Sequence, residues 1–416
     1  MKKNKNLIKI AFVSFGLFTT SGALGQTKKE DDEQYKVEVH TKEERQAMKK
    51  LRKENLSLIE RTVNSPDSLK VKRNMRLLPL PVIFSSPEVG LALGANLQGY
   101  WHHNRDLRNQ QSTAMATAIY TIYGQYSFRS MWDMSMGQDN WRLRGQANYS
   151  YFPLNYYGIG DEKNDPEQAK EYISQTYAQF WAEGLRRISD GWFVGASIDY
   201  ANLFDAYSTD EDGDRLEDPT ESIFYGAPGS EGYQVLGLGP RLIYDSRDNI
   251  RFPANGSYFE VSSSYYFGDM NFANVTLDLR KYWQLKPGHY FAAQTYLNGN
   301  FGDVPYDKMP GFGQTFGTSL SVGRGFYPGR YRDKNLYYTQ VEYRYPIYGS
   351  IRGVVFGGMG NVTDEFTDPN FSTMKFNYGA GLRVPFDKKG KVYLRADVAA
   401  SPNEPVGFYL RMGEAF

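Results

Sequence analysis

The chain has no cysteine. That excludes disulfides, thiolate metal sites and a lipid-anchoring cysteine. It carries almost no net charge, +1 at pH 7, and so lacks the electrostatic footprint of a nucleic-acid binder. No segment after the first residues approaches the ~18 apolar residues of a membrane helix. Catalytic signatures are also missing: there is no G-x-S-x-G, no H-E-x-x-H and no P-loop. The stretch "GASID" at Gly195 only brushes the first of these, and it lies in a strand pattern. The expectation is therefore a protein that is not an enzyme and holds no cofactor.

What is present is unusual. There are 33 Tyr, 26 Phe and 41 Gly, yet mean hydropathy is −0.58. Aromatic-rich, Gly-rich and hydrophilic on average suits strands with one apolar and one polar face. The N-terminus, "MKKNKNLIKIAFVSFGLFTTSGALGQ", places Lys2, Lys3, Lys5 and Lys9 before an apolar run from Ile10 to about Leu24. Small residues follow at the cleavage positions, so residues 1–25 read as a signal peptide and the mature chain starts near Gln26. Residues 26–76 read as a charged periplasmic segment. Within it Thr41 and Glu44 have capping-box spacing, and Ala47, Leu51, Leu58 and Ile59 fall near helical spacing, predicting a helix over 41–63. Two readings of that helix stand: a solvated tail, or a docking element for a periplasmic partner or the barrel mouth.

From Glu88 the period becomes two. In "WRLRGQANYSYF", Trp141, Leu143, Ala147, Tyr149 and Tyr151 share a face, while Arg142, Arg144, Gln146, Asn148 and Ser150 take the other. "FANVTLDLRKYW" and "YYTQVEYRYP" repeat the pattern. A soluble sandwich and a membrane barrel both produce such alternation. Strand length, aromatic strand ends and the signal peptide favour the membrane. Counting back from Phe416, strands fall near 406–416, 391–399, 375–385, 351–360, 336–345, 289–301, 272–283, 256–267, 233–245, 191–203 and 174–188, then near 140–151, 126–137, 112–123 and 89–101. Short connections ("YGS", "DKKG", "LKPG") alternate with long ones (204–232, 302–335, 361–374), as in barrels with short periplasmic turns and long external loops. A short extra strand at "NYYGIG", after a Phe152-Pro153 turn, makes the number even. The prediction is all-β: a transmembrane antiparallel barrel of about 16 strands over residues 77–416, with both termini periplasmic.

Two polar clusters invite a metal reading. His102-His103 reads as a polar rim pair. In "STDEDGDRLED", Asp210, Asp212 and Asp214 alternate around Gly213 and are weak Ca²⁺ candidates, but the glycine sits wrongly for an EF-hand, so a solvated acidic loop is the default.

The barrel half resembles the BamA/TamA-type outer-membrane assembly and translocation family, also called the bacterial surface antigen family. The residues that carry the resemblance are "SVGRGFYPGR", "YDSRDNIRFPANG", "VEYRYPI", "YGAGLRV", "LRADVAASP" and "FYLRMGEAF", in order across 89–416. The resemblance implies sixteen strands and a sixth external loop that folds into the lumen carrying Gly323, Arg324, Gly325 and Phe326. It also implies a C-terminal assembly signal with Phe408, Leu410, Met412 and Phe416 in one outward register.

Two departures follow. Residues 26–76 are too few for a periplasmic POTRA domain, which implies a POTRA-less branch. The strand that should carry Phe-x-Asp-x-Gly reads Phe356-Gly357-Gly358-Met359-Gly360, with glycine where the loop arginine's usual partner stands. By alternation, inward Glu342 or Asp397 are the candidate partners of Arg324, since a buried guanidinium favours a carboxylate. Phe326 and Tyr327 are expected to pack over aliphatic parts of inward side chains. The implied role is insertion or transport of protein or lipid at the outer membrane of a Gram-negative bacterium. The implied surroundings are outer-membrane lipid and lipopolysaccharide, with possible periplasmic or outer-membrane protein partners and no nucleic acid. The alternative is a passive diffusion channel or surface antigen without translocase activity.

Overall fold

The computed structural model describes residues 75–86 and 90–416, apart from 107–108, 162–170, 210–214, 217–221, 251, 314, 317–319, 370, 388–391 and 403, together with Val37–Glu38 and Lys70–Val71. The helix expected over 41–63 and the weak Ca²⁺ candidates Asp210, Asp212 and Asp214 lie outside the described residues.

Sixteen antiparallel strands form one sheet in simple sequence order. They are β1 (Met75–Ser86), β2 (Gly90–Trp101), β3 (Ser112–Thr121), β4 (Tyr126–Met136), β5 (Trp141–Tyr156), β6 (Glu171–Ser189), β7 (Trp192–Thr209) and β8 (Tyr233–Asp245). The second half is β9 (Gly256–Gly268), β10 (Phe272–Lys286), β11 (His289–Gly302), β12 (Asn335–Tyr348), β13 (Ile351–Thr363), β14 (Lys375–Asp387), β15 (Val392–Ala400) and β16 (Gly407–Met412). β1 and β16 are the two edges, and among the described residues no ladder joins them.

The number expected from the sequence is met, but by a different strand. There is no turn at Phe152-Pro153: β5 runs unbroken to Tyr156, with Pro153 opposite Ser174. The missing strand is β1, in a proline-bearing stretch that the sequence reading placed outside the pattern.

Alternation sorts the faces as a membrane barrel requires. On β11, Tyr290, Ala292, Gln294, Tyr296, Asn298 and Asn300 are buried on the inner face. Polar inner side chains lock strand to strand: Gln294 Nε2 donates to Asp278 at 2.9 Å and Gln340 Nε2 donates to Gln294 at 2.7 Å. Outward residues such as Leu238, Val275, Leu279, Val341, Val355, Leu382 and Val398 are exposed, an apolar surface of this extent that fits lipid rather than water.

Candidate functional site

The long connection between β11 and β12 does not stand outside the sheet. Its first part packs on the early strands. Tyr306 meets Tyr156 edge-on at 5.6 Å and Phe224 at 5.1 Å. The Tyr233 hydroxyl donates to the Asp307 carboxylate at 2.7 Å, and Lys308 Nζ lies 3.0 Å from Asp199. Burial opposes the Lys308 charge, but Asp199 and neighbouring groups outweigh it and raise its pKa well above the ordinary lysine value. Asn155 Nδ2 donates to the Tyr327 hydroxyl at 2.7 Å.

The second part reaches the last strands. Arg330 Nη1 lies 2.8 Å from Glu404, and the Gly325 N–H donates to the Tyr409 hydroxyl on β16 at 2.8 Å. One loop thus touches inner residues from β5 round to β16, and the sheet curls around it.

Arg324 sits at the centre of this second part. Its Nη2 donates to Glu342 Oε1 at 2.6 Å and its Nη1 to Asp397 Oδ2 at 2.8 Å. Gln340 adds a longer bond to Nη2 at 3.3 Å. The guanidinium carbon stands 3.6 Å from the centre of the Phe356 ring, a cation–π contact. Asn377 Nδ2 donates to the Arg324 carbonyl at 2.7 Å. Burial works against the charge, and Glu342 and Asp397 reverse it, so the Arg324 pKa is raised. Gly325 explains its own place in the motif: its φ is +100°, and a Cβ there would stand 3.0 Å from the Ala400 backbone.

The sequence offered Glu342 or Asp397 as partner; the structure brings both to Arg324. It also shows why glycine stands at 358. A Cβ there would lie 2.4 Å from the Tyr338 hydroxyl and 2.8 Å from Asn377 Oδ1. Tyr338 fills the space that a carboxylate on β13 would need, and the negative charge comes from β12 and β15 instead. Phe326 stacks on Phe312 at 4.8 Å and meets Tyr331 edge-on at 5.9 Å, in a buried cluster that also holds Val322 and Leu336.

The pair belongs to a larger buried lattice. Glu342 also receives Arg344 at 3.0 Å, and Asp397 also receives Arg383 at 2.5 Å. Arg395 lies 3.5 Å from Asp397. Glu414 completes it, accepting from Arg383 Nε at 2.7 Å. Arg383 and Arg395 follow from the same inward parity as Asp397. Glu414 had no such signal, because it lies past the end of a strand.

That position also corrects the C-terminal reading. Phe408 and Leu410 face outward, and Met412 ends β16. Phe416 does not continue their register: it is buried in the lumen with Tyr282, Phe312 and Phe326. Alternation holds only while the strand lasts. Gly413, at φ +85°, turns the chain, its N–H donates to the Tyr393 carbonyl at 2.9 Å, and Glu414 is drawn to Arg383. Loop from one side and tail from the other share one aromatic cluster.

At the barrel rim, His102 Nδ1 faces the Asn109 carbonyl at 3.1 Å. Among the described residues no group of His, Asp or Glu is arranged to hold a metal ion.

The Omp85 superfamily domain matches residues 91–416. The chain belongs to the Omp85 superfamily. Barrels of this superfamily sit in the outer membrane of Gram-negative bacteria, act with partner proteins, and generally serve in outer-membrane insertion or transport. No curated protein matches the chain.

Solved structures similar to this Omp85 chain include BamA from Haemophilus ducreyi lacking POTRA domains 1-3, at 14% identity over 82% of this chain and 69% of that one, TM-score 0.47. CdiB from Acinetobacter baumannii is 12% identical over 84% of this chain and 63% of that one, TM-score 0.47. CdiB from Escherichia coli is 9% identical over 82% of this chain and 62% of that one, TM-score 0.52, and shares the fold. The chain thus spans about two thirds of each of these proteins.

Proposed function

We propose that this barrel inserts or moves a protein or lipid across the outer membrane without a POTRA domain of its own, relying on separate periplasmic partners to deliver the substrate. The observation that carries the reading is the loop clamp: Arg324, held between Glu342 and Asp397, fixes a lumen-filling loop. A passive diffusion channel needs an open lumen, and a surface antigen needs no such clamp. The Gly325 bond to Tyr409 ties the loop to the edge strand β16, so the loop is placed to sense events at the edges of the sheet. Outer-membrane lipid and lipopolysaccharide would surround the exposed outer face.

Reconstitution tests this. Liposomes carrying the protein are mixed with a urea-unfolded eight-stranded outer-membrane protein, and its folding is followed by its heat-modifiable gel mobility. The expected result is faster folding than in empty liposomes, reduced by Arg324→Ala. Equal rates with and without the protein, combined with free passage of small solutes, favour the diffusion channel.

A further inference from the structure

Arginines stand side by side on the inner face of the last three strands. Arg383 on β14 lies opposite Arg395 on β15, and Arg395 lies opposite Arg411 on β16. Arg411 has the parity of Tyr409, whose hydroxyl receives the Gly325 N–H from the lumen loop, so all three face the interior. Like charges directly opposite across a ladder repel. The row lies toward the end of the barrel where the C-terminal tail turns in: Arg395 is near the start of β15, and Arg411 is the last residue but one of β16.

Arg383 is compensated, since its Nη1 meets Asp397 and its Nε meets Glu414. Arg395 is not. Its side chain is almost wholly removed from solvent, and its one ion pair among the described residues sets Nε 3.5 Å from Asp397 Oδ2, outside hydrogen-bonding geometry. That oxygen already receives Arg324 at 2.8 Å. Nε and Nη1 of Arg395 are buried with no hydrogen-bond partner among the described residues. The lattice as a whole sets four buried arginines against three carboxylates. One positive charge is left over, and Arg411 adds another beside it. A buried guanidinium without its counter-charge is costly. Water can satisfy the N–H groups but not the charge. Arg411 itself is exposed, and Arg129 on β4 opposes its charge across the lumen. Carboxylates therefore close the row on the β14 side, and it opens to solvent at Arg411.

We propose that Arg395 and Arg411 are the two arms of a binding site for a compact oxyanion of the phosphate class. The guanidinium fork matches the oxygens of a phosphate group. Residues directly opposite on neighbouring strands stand about 5 Å apart at Cβ, so one tetrahedral anion can bridge both side chains. The anion brings the charge that the lattice lacks. A free phosphate and the phosphodiester of a lipid headgroup offer the same chemistry. The site needs no client and no partner protein, so its test stands apart from the proposed function.

Thermal unfolding of the full chain in a non-ionic detergent measures the binding, with phosphate exchanged for chloride at constant ionic strength. In the unaltered protein, phosphate should raise the melting temperature by about 2–4 °C, and the rise should saturate. Arg395→Gln removes the buried arm and should abolish the response. Should that variant fail to fold, Arg411→Gln, at an exposed residue, should weaken the apparent affinity for phosphate about tenfold. Dihexanoyl phosphatidylglycerol below its micelle concentration separates the two sources. A response to this lipid assigns the site to headgroups, and a response confined to inorganic phosphate assigns it to the free ion. A site satisfied by water alone responds to neither probe, and that result overturns the proposal. So does a phosphate response that survives unchanged in both Arg395→Gln and Arg411→Gln.

Discussion

Arg324 Nη2 stands 2.6 Å from Glu342 Oε1, with both side chains almost wholly removed from solvent. A buried ion pair is weak evidence of net stabilisation, but breaking one side of it is costly. Arg324→Ala removes a cation that Glu342 and Asp397 share, although Arg344 and Arg383 stay beside them, and should cost at most about 3–5 kcal/mol. Adding Glu342→Gln should recover part of this, limited because Arg344 also uses Glu342. A double-mutant cycle on the detergent-folded barrel, by urea titration, should give a coupling of about 1 kcal/mol or more for Glu342 and again for Asp397. Near-zero coupling for both would remove the clamp from the account.

The carboxylate expected on β13 should not be restorable by substitution alone. Gly358→Asp would drive its side chain into the Tyr338 hydroxyl, and should destabilise by about 1–3 kcal/mol through overpacking. Combining it with Tyr338→Ala opens the space, so the two changes should couple favourably. A Gly358→Asp barrel that melts higher than the parent would show that the site has room after all.

The register of the late strands is open to a two-residue test. Leu394 points to the lipid side of β15, while Tyr393 points inward, its ring 4.7 Å from that of Phe252. Leu394→Arg should cost about 2–4 kcal/mol at mid-membrane, and less near an interface. Tyr393→Arg should cost less unless the loss of the Phe252 contact dominates. Folding titrations in lipid vesicles rank the two, and the reverse order would place the whole β15 register one residue off.

The tail makes a protease-level prediction. With Phe416 packed in the lumen and Glu414 on Arg383, carboxypeptidase should fail to trim the folded protein. Gly413→Val forbids the turn at φ +85° and should render Phe416 removable. Ready trimming of the unaltered barrel would return the C-terminus to the outward register read from the sequence.

Much of this architecture was legible because period-two patterning is strong wherever one face meets lipid and the other a charged lumen. The same parity that marked Glu342 and Asp397 as inward extends to Arg383 and Arg395. It failed in three places, each for a physical reason. β1 was hidden because prolines demote a strand, and an edge strand is where they are most readily accommodated. Pro153 suggested a turn for the same cause, although β5 passes through it. Glu414 and Phe416 lie past Gly413, where the backbone leaves the strand and parity no longer says which way a side chain points. The Lys308–Asp199 contact joins a loop residue to a wall residue 109 positions away, and a loop without periodicity gives no register from which such a partner can be named.

The central claim is that a loop clamped by Arg324 fills the lumen, and single-channel recording in planar bilayers tests it most directly. The account expects the unaltered protein to show small or flickering conductance, and Arg324→Ala, if it still folds, to show larger and longer openings as the loop comes free. A large, steady conductance in the unaltered protein, unchanged by Arg324→Ala, would contradict it.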